Sequence, residues 1–148
     1  MISVDEIMTT NVYTLTVENT VYDARCLMSE KNIRHIPIVD GSNHLVGLLT
    51  QRDLLRASES TLYTTSNDAR VTLEKQHCVD EIMTRNIKTI DEHDSLRSAA
   101  LRLRKFKHGC LPVVTEGVLK GIITDTDFVA VAAHLLEQLE TSIPVEEF

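Results

Sequence analysis

The hexapeptide VDEIMT occurs twice, at residues 4–9 and 79–84, and the self-similarity it marks restricts the chain to a fold built from two like halves. Sliding the sequence against itself by 75 residues pairs Asn11 with Asn86, Thr14 with Thr89, Ala24 with Ala99, Pro37 with Pro112 and Val39 with Val114. After one deleted residue the offset is 74, and Leu45 pairs with Leu119, Gly47 with Gly121, Thr50 with Thr124 and Asp53 with Asp127. Between residues 4–55 and 79–129 there are 15 identities, spread along the whole unit. This is a duplication.

Both units carry the same succession of elements. Residues 12–16 (VYTLT) and 87–91 (IKTID) are short and rich in β-formers, which predicts a strand. Thr20 and Ser95 stand at N-cap positions ahead of apolar residues at helical spacing: Val21, Ala24, Leu27 and Met28, then Leu96, Ala99, Ala100, Leu103 and Phe106. Two apolar runs follow in each unit, IPIVD and LVGLLT, then LPVVT and VLKGIIT, joined as hairpins by the turns GSN and EG. A further helix opens at QRDLL and at DTDFV. The predicted fold is α+β, two tandem βαββα repeats.

A single unit of about 50 residues buries too little apolar surface for comfortable stability, so the copies are expected to pack sheet against sheet with pseudo-twofold symmetry. The expected boundaries are 1–58 for the first repeat, 59–78 for a connecting loop, 79–140 for the second repeat with a C-terminal helix, and 141–148 for an acidic tail. The VDEIMT copies hold no ligand-capable arrangement. Each is expected to be a lead-in that packs its own repeat and helps border a cleft between the repeats, with Met8 and Met83 as matching anchors.

Hydrophobic residues at 43% with 25% charged indicate a globular chain. A net charge of −7 argues against nucleic acid as the main partner. The basic stripe Arg97, Arg102, Arg104, Lys105 and Lys107 reads as the solvated side of an amphipathic helix. No apolar run approaches the roughly 20 residues of a membrane span, and no basic region followed by an apolar stretch opens the chain. A soluble, cytoplasmic protein is expected. The three cysteines form no Cys-x-x-Cys pair, which suits free thiols. His77-Cys78 and His108-Gly109-Cys110 lack the paired spacing of a zinc site, and no base is visibly paired with Cys110 as a thiol nucleophile.

The strongest functional candidates are Thr50 with Asp53 and Thr124 with Asp127, each at the start of a helix after a Gly-containing strand. One reading is structural: Thr at the N-cap and a carboxylate at N3 satisfy orphan backbone donors. The other is a cleft in which the carboxylate accepts hydrogen bonds from ribose hydroxyls and the helix N-terminus favours a phosphate. Sequence pattern leaves both open.

The paired units, the Pro-containing strands IPIV and LPVV, and the endings GLLTQRDLL and GIITDTDFV resemble CBS domains in the tandem arrangement called a Bateman module. More narrowly, IRHIPIVD, TQRDLL and GCLPVV resemble stand-alone CBS pairs of the acetoin utilization protein B type. The resemblance implies a regulatory module without catalysis of its own. It would bind an adenosine-containing ligand (AMP, ADP, ATP, S-adenosylmethionine or NAD) in clefts between the repeats and be read by a separate effector protein. Alternatives are a ligand-independent dimerisation module or an accessory protein of acetoin utilization.

The family's ribose-binding signature maps onto Thr50 and Asp53, and onto Thr124 and Asp127. Its phosphate-contacting positions map onto Arg34 and His35, whereas the second repeat has Gly109 and Cys110 there. Asp125 replaces Gln51 and adds a negative charge. The first cleft is therefore expected to prefer phosphorylated nucleotides. The second is expected to be empty or to take a less charged adenosyl ligand. Phe128, Val129, Ala132, Leu135, Leu136 and Leu139 give the last helix a wide apolar face, and a homodimer is expected.

Overall fold

The computed structural model describes residues 1–59, 66–106 and 109–142. Helix α1 (Val21–Lys31) starts where its own side chains close the first turn. Thr20 Oγ1 accepts from the Asp23 N–H at 3.1 Å, and the Asp23 carboxylate accepts from the Thr20 N–H at 2.9 Å. That backbone hydrogen bond holds the Asp23 carboxyl below the usual carboxylate range. In the second repeat Ser95 Oγ accepts from the Ser98 N–H at 3.1 Å to open the equivalent helix. Both N-caps are those expected from the sequence.

The hairpins also form as expected. β1 (His35–Val39) pairs antiparallel with β2 (Leu45–Thr50), and β3 (Cys110–Thr115) with β4 (Val118–Thr124). The turn after β3 is two residues long, and Glu116 and Gly117 both have positive φ, 53° and 83°, as a tight hairpin of this twist requires. Three further helices precede the second hairpin: α2 (Gln51–Glu59), α3 (Asn67–Gln76) and α4 (Leu96–Phe106). The last, α5, spans Asp125–Ser142.

Three expectations are corrected. The predicted first strands shrink to single bridges, Leu15 to Ile38 and Ile90 to Val113. Leu15 donates its N–H to the Pro37 carbonyl and accepts from the Val39 N–H, after which the turn at Thr16 and Asn19 takes the chain away. Secondly, the connecting segment contains α3, opened by Ser66 Oγ accepting from the Ala69 N–H at 3.1 Å; a Ser cap ahead of NDARVTLEKQ was a helix signal inside a polar stretch. Residues 60–65 and 143–148, the rest of the expected loop and most of the acidic tail, lie outside the described residues.

The third correction concerns the doubled hexapeptide, because each lead-in packs the opposite repeat. Val4, fully buried, joins Ile90, Leu96, Ala99, Leu111, Val113 and Ile123 of the second repeat. Val79, also fully buried, joins Val21, Ala24, Met28, Ile36, Ile38 and Leu49 of the first. Backbone bonds repeat the exchange: Val4 N–H to the Asp94 carbonyl at 2.8 Å, Val79 N–H to the Asn19 carbonyl at 2.9 Å. The lead-ins then add to the far edge of the other hairpin, Thr9 exchanging both backbone bonds with Ile122 and Thr84 with Leu48. Each repeat thus needs the other's first residues to complete its core.

The crossing explains the paired glycines. A Cβ on Gly47 would meet the Met83 side chain, and one on Gly121 would lie 2.7 Å from the Thr9 carbonyl oxygen and 2.8 Å from Met8 Sδ. A flexible Met can move aside; a backbone carbonyl held in a bridge cannot. Gly121→Ala is therefore expected to destabilise by about 1–3 kcal/mol, with Gly47→Ala costing less, as read from urea denaturation. Equal losses would contradict this packing.

Candidate functional site

Both Thr-x-x-Asp stretches sit where β2 passes into α2 and β4 into α5. The Thr50 N–H donates to Asp53 Oδ2 at 2.8 Å, and the Asp53 N–H to Thr50 Oγ1 at 3.1 Å. In the second repeat the Thr124 N–H donates to Asp127 Oδ2 at 2.8 Å, and the Thr9 hydroxyl to Asp127 Oδ1 at 3.3 Å. The cap is thus closed from both sides in the first half and by the carboxylate alone in the second, where the Thr124 hydroxyl donates to Asp127 Oδ2 at 3.4 Å. It does not use up Asp53, a residue only 7% exposed, whose Oδ1 accepts no hydrogen bond among the described residues.

Thr50 and Asp53 line a recess to which both repeats contribute. Leu48, Arg52 and Arg56 come from the first, and Thr84, Asn86, Ile87, Lys88 and Cys110 from the second. The second lead-in makes this possible: once Thr84 is bridged to Leu48, residues 84–88 run along the mouth. Leu48, Cys110 and Ile122 form a shared apolar cluster beneath, with Ile87 and Val12 against it. Arg52, Arg56 and Lys88 line the same recess as Asp53. Of these, Arg56 and Lys88 escaped the sequence reading, as did Asn86; Thr84 belongs to the lead-in expected to border the cleft. The repeated Thr9/Thr84 and Asn11/Asn86 pairs were visible, but nothing local showed that the lead-ins cross.

Arg34 and His35 stand apart from Asp53. They line an adjoining recess with Gln51, Leu55, Gly109 and Asp125, and among the described residues only Thr50 and Arg52 border both recesses. Each half closes its own strand-to-helix corner here in matching fashion, the Gln51 N–H donating to the Arg34 carbonyl at 2.9 Å and the Asp125 N–H to the Gly109 carbonyl at 3.1 Å. At the 75-residue offset His35 corresponds to Cys110. His35 pairs with Thr50 in its own hairpin and lines the adjoining recess with Gly109 and Asp125. At the repeat offsets the counterparts of Arg52, Arg56 and Lys88 are Thr126, Ala130 and Tyr13.

Cys110 is 2% exposed, and burial, with the Asp125 charge nearby, pushes its thiol up to about 12. A thiol so held is a poor nucleophile near neutral pH; His108, two residues before it, lies outside the described residues. Among the described residues no helix is long and apolar enough to cross a membrane.

The sequence profile of the CBS domain matches residues 4–60 and 79–134. A crystal structure of a Vibrio cholerae protein named for acetoin utilization is 41% identical, with a TM-score of 0.80 over 97% of this chain and 99% of that one. CBSX2 in complex with AMP is 26% identical, with a TM-score of 0.77 over 91% and 98% of the two chains. The CBS domain pair of MJ0100, in complex with 5′-methylthioadenosine and S-adenosyl-L-methionine, is 26% identical, with a TM-score of 0.74 over 88% and 98%. Among curated relatives, homoserine O-acetyltransferase of Methanobrevibacter ruminantium is 30% identical over 122 residues, and the chain spans only 22% of that protein's length. With two profile matches on two halves that share one fold and exchange their first residues, the chain belongs to the CBS domain family, as a tandem pair.

Proposed function

We propose that this CBS pair is a regulatory module that binds an adenosine nucleotide between its repeats and is read by a separate effector protein. The observation that carries the proposal is Asp53: a buried carboxylate with one oxygen spent on the helix cap and the other unused, in a recess walled by both repeats. Ribose hydroxyls would donate to Oδ1. A phosphate would lie toward Arg52, Arg56, Lys88 and the α2 N-terminus. AMP in CBSX2, and the adenosyl ligands in MJ0100, support this class of ligand.

The second cleft offers less to an anion. Asp127 Oδ1 is already engaged by Thr9, and Thr126, Ala130 and Tyr13 are the repeat counterparts of the first cleft's cations. A less charged adenosyl ligand, or none, suits it. Because the first recess is shared by both repeats, a ligand there favours whichever mutual orientation binds it better; a tenfold preference supplies about 1.4 kcal/mol of bias. Calorimetric titration with AMP, ATP and S-adenosylmethionine tests the reading. Saturable heat with AMP or ATP is expected, and silence with every adenosine compound would return the molecule to a ligand-independent interaction module.

Homodimerisation through α5 belongs to the same proposal. That helix buries no residue, and Val129, Leu135, Leu136 and Leu139 are 68%, 51%, 57% and 57% exposed. A second copy offering the same stripe would cover it. Sedimentation velocity is expected to show a dimer that Leu136→Glu converts to monomer; a monomeric wild-type protein at micromolar concentration would remove this part.

A further inference from the structure

The recess beside Asp53 holds about 70 Å³, less than half the roughly 150 Å³ of a cavity that takes up benzene. A nucleoside anchored on Asp53 therefore extends past it. The adjoining recess, of about 410 Å³, shares Thr50 and Arg52 with it and reaches from the first repeat to Gly109 and Asp125 of the second. A phosphate chain leaving the ribose has this neighbouring space to enter.

Charges of both signs face that space. Arg34 and Arg52 come from the first repeat and Asp125 from the second, and none of the three makes an ion pair among the described residues. The Asp125 carboxylate is turned in over Gly109. That glycine has φ 74°, and a Cβ placed on it would lie 3.7 Å from Asp125 Oδ2 and 3.5 Å from His35 Nε2, so side chains of both repeats converge there. The Asp125 charge is also felt at Cys110, where it adds to burial in raising the thiol, and Cys110 is a wall of the Asp53 recess. At the 74-residue offset the first repeat has Gln51, which is uncharged.

We infer that Asp125 is a specificity residue that limits this site to a single phosphate, favouring AMP over ADP and ATP. The inference rests on nucleotide binding at the Asp53 recess and adds to it the choice among nucleotides. A phosphate next to the ribose meets Arg52 and then Arg34. Each further phosphate carries its negative charge across the recess toward the unpaired carboxylate of the other repeat, where like charges repel. The penalty grows with the number of phosphates, and salt screens it because Asp125 is exposed.

Calorimetric titration of the intact chain with AMP and with ATP, magnesium withheld, tests this on the wild type, Asp125→Gln and Asp125→Glu. The wild type is expected to bind AMP at least as tightly as ATP. Asp125→Gln, which installs the first repeat's residue, should shift the affinity ratio toward ATP by roughly tenfold, and the shift should shrink in high salt. Asp125→Glu keeps the charge and should keep the wild-type ratio, which a mere loosening of the α5 start would not spare. AMP binding with a ratio unchanged in Asp125→Gln, or shifted equally in Asp125→Glu, overturns this inference and leaves the nucleotide reading standing. Silence with both nucleotides fails that reading and takes the inference with it. Should Asp125→Gln not fold, the wild type decides: ATP bound more tightly than AMP overturns the assignment.

Discussion

Val79→Asp is expected to unfold the first repeat, although Val79 belongs to the second copy of the repeated hexapeptide. Its side chain is fully buried among Val21, Ala24, Met28, Ile36, Ile38 and Leu49, with no polar partner to receive a carboxylate. Burying an unpaired charge in such surroundings exceeds about 4 kcal/mol, against a total stability of about 5–15 kcal/mol for a typical domain. Val79→Ala, by contrast, removes two methyl groups and should cost about 2 kcal/mol. Val4→Asp is the mirror experiment: Val4 is fully buried against Ile90, Leu111, Val113 and Ile123, so the second repeat should lose its order first. Methyl NMR of Ile36 and Ile38 against Leu111 and Ile123 distinguishes the two. If Val79→Asp perturbed the second repeat and spared the first, the crossed packing of the lead-ins would be wrong.

Asp53→Asn is expected to weaken AMP or ATP binding by roughly 10-fold to 100-fold, the range for loss of a hydrogen bond to a charged group, while leaving the melting temperature nearly unchanged. The two roles of Asp53 separate in this variant. Asparagine keeps an oxygen to accept the Thr50 N–H now held at 2.8 Å, so the cap, worth about 1 kcal/mol, survives. What is lost is the negative charge toward the recess, where ribose hydroxyls would donate. If the residue were a cap and nothing more, Asn would bind nucleotide as the wild type does. Asp127→Asn should affect phosphorylated nucleotides far less, since Thr9 already engages that carboxylate and its neighbours Thr126 and Ala130 are uncharged. Equal losses at both positions would remove the asymmetry between the clefts.

Much of the molecule was legible before any coordinates. The 75-residue offset identified two units, and the caps at Thr20 and Ser95, the hairpins and the helix starts at Gln51 and Asp125 followed from patterns only a few residues long. The Thr-x-x-Asp stretches were found the same way. The first strands misled, because a β-branched run such as VYTLT satisfies a local pattern whether one residue or five engage the sheet; only Leu15 does so here. The α3 helix was missed because a polar segment with one capping Ser resembles a loop until Glu74 meets Arg25 across 49 residues of chain.

By itself, then, the sequence determined the number of repeats, their elements and the residues at each helix start, since all of these depend on neighbours in the chain. Only the tertiary structure decided which half completes which core, and therefore which side chains surround Asp53. Val4 and Val79 are followed by the same five residues, and a buried valine satisfies the hydrophobic effect equally well in either repeat; the choice rests on the bridges from Thr9 to Ile122 and from Thr84 to Leu48. Those bridges bring Asn86 and Lys88 to the recess and leave Arg34 and His35 beside Gly109 and Asp125.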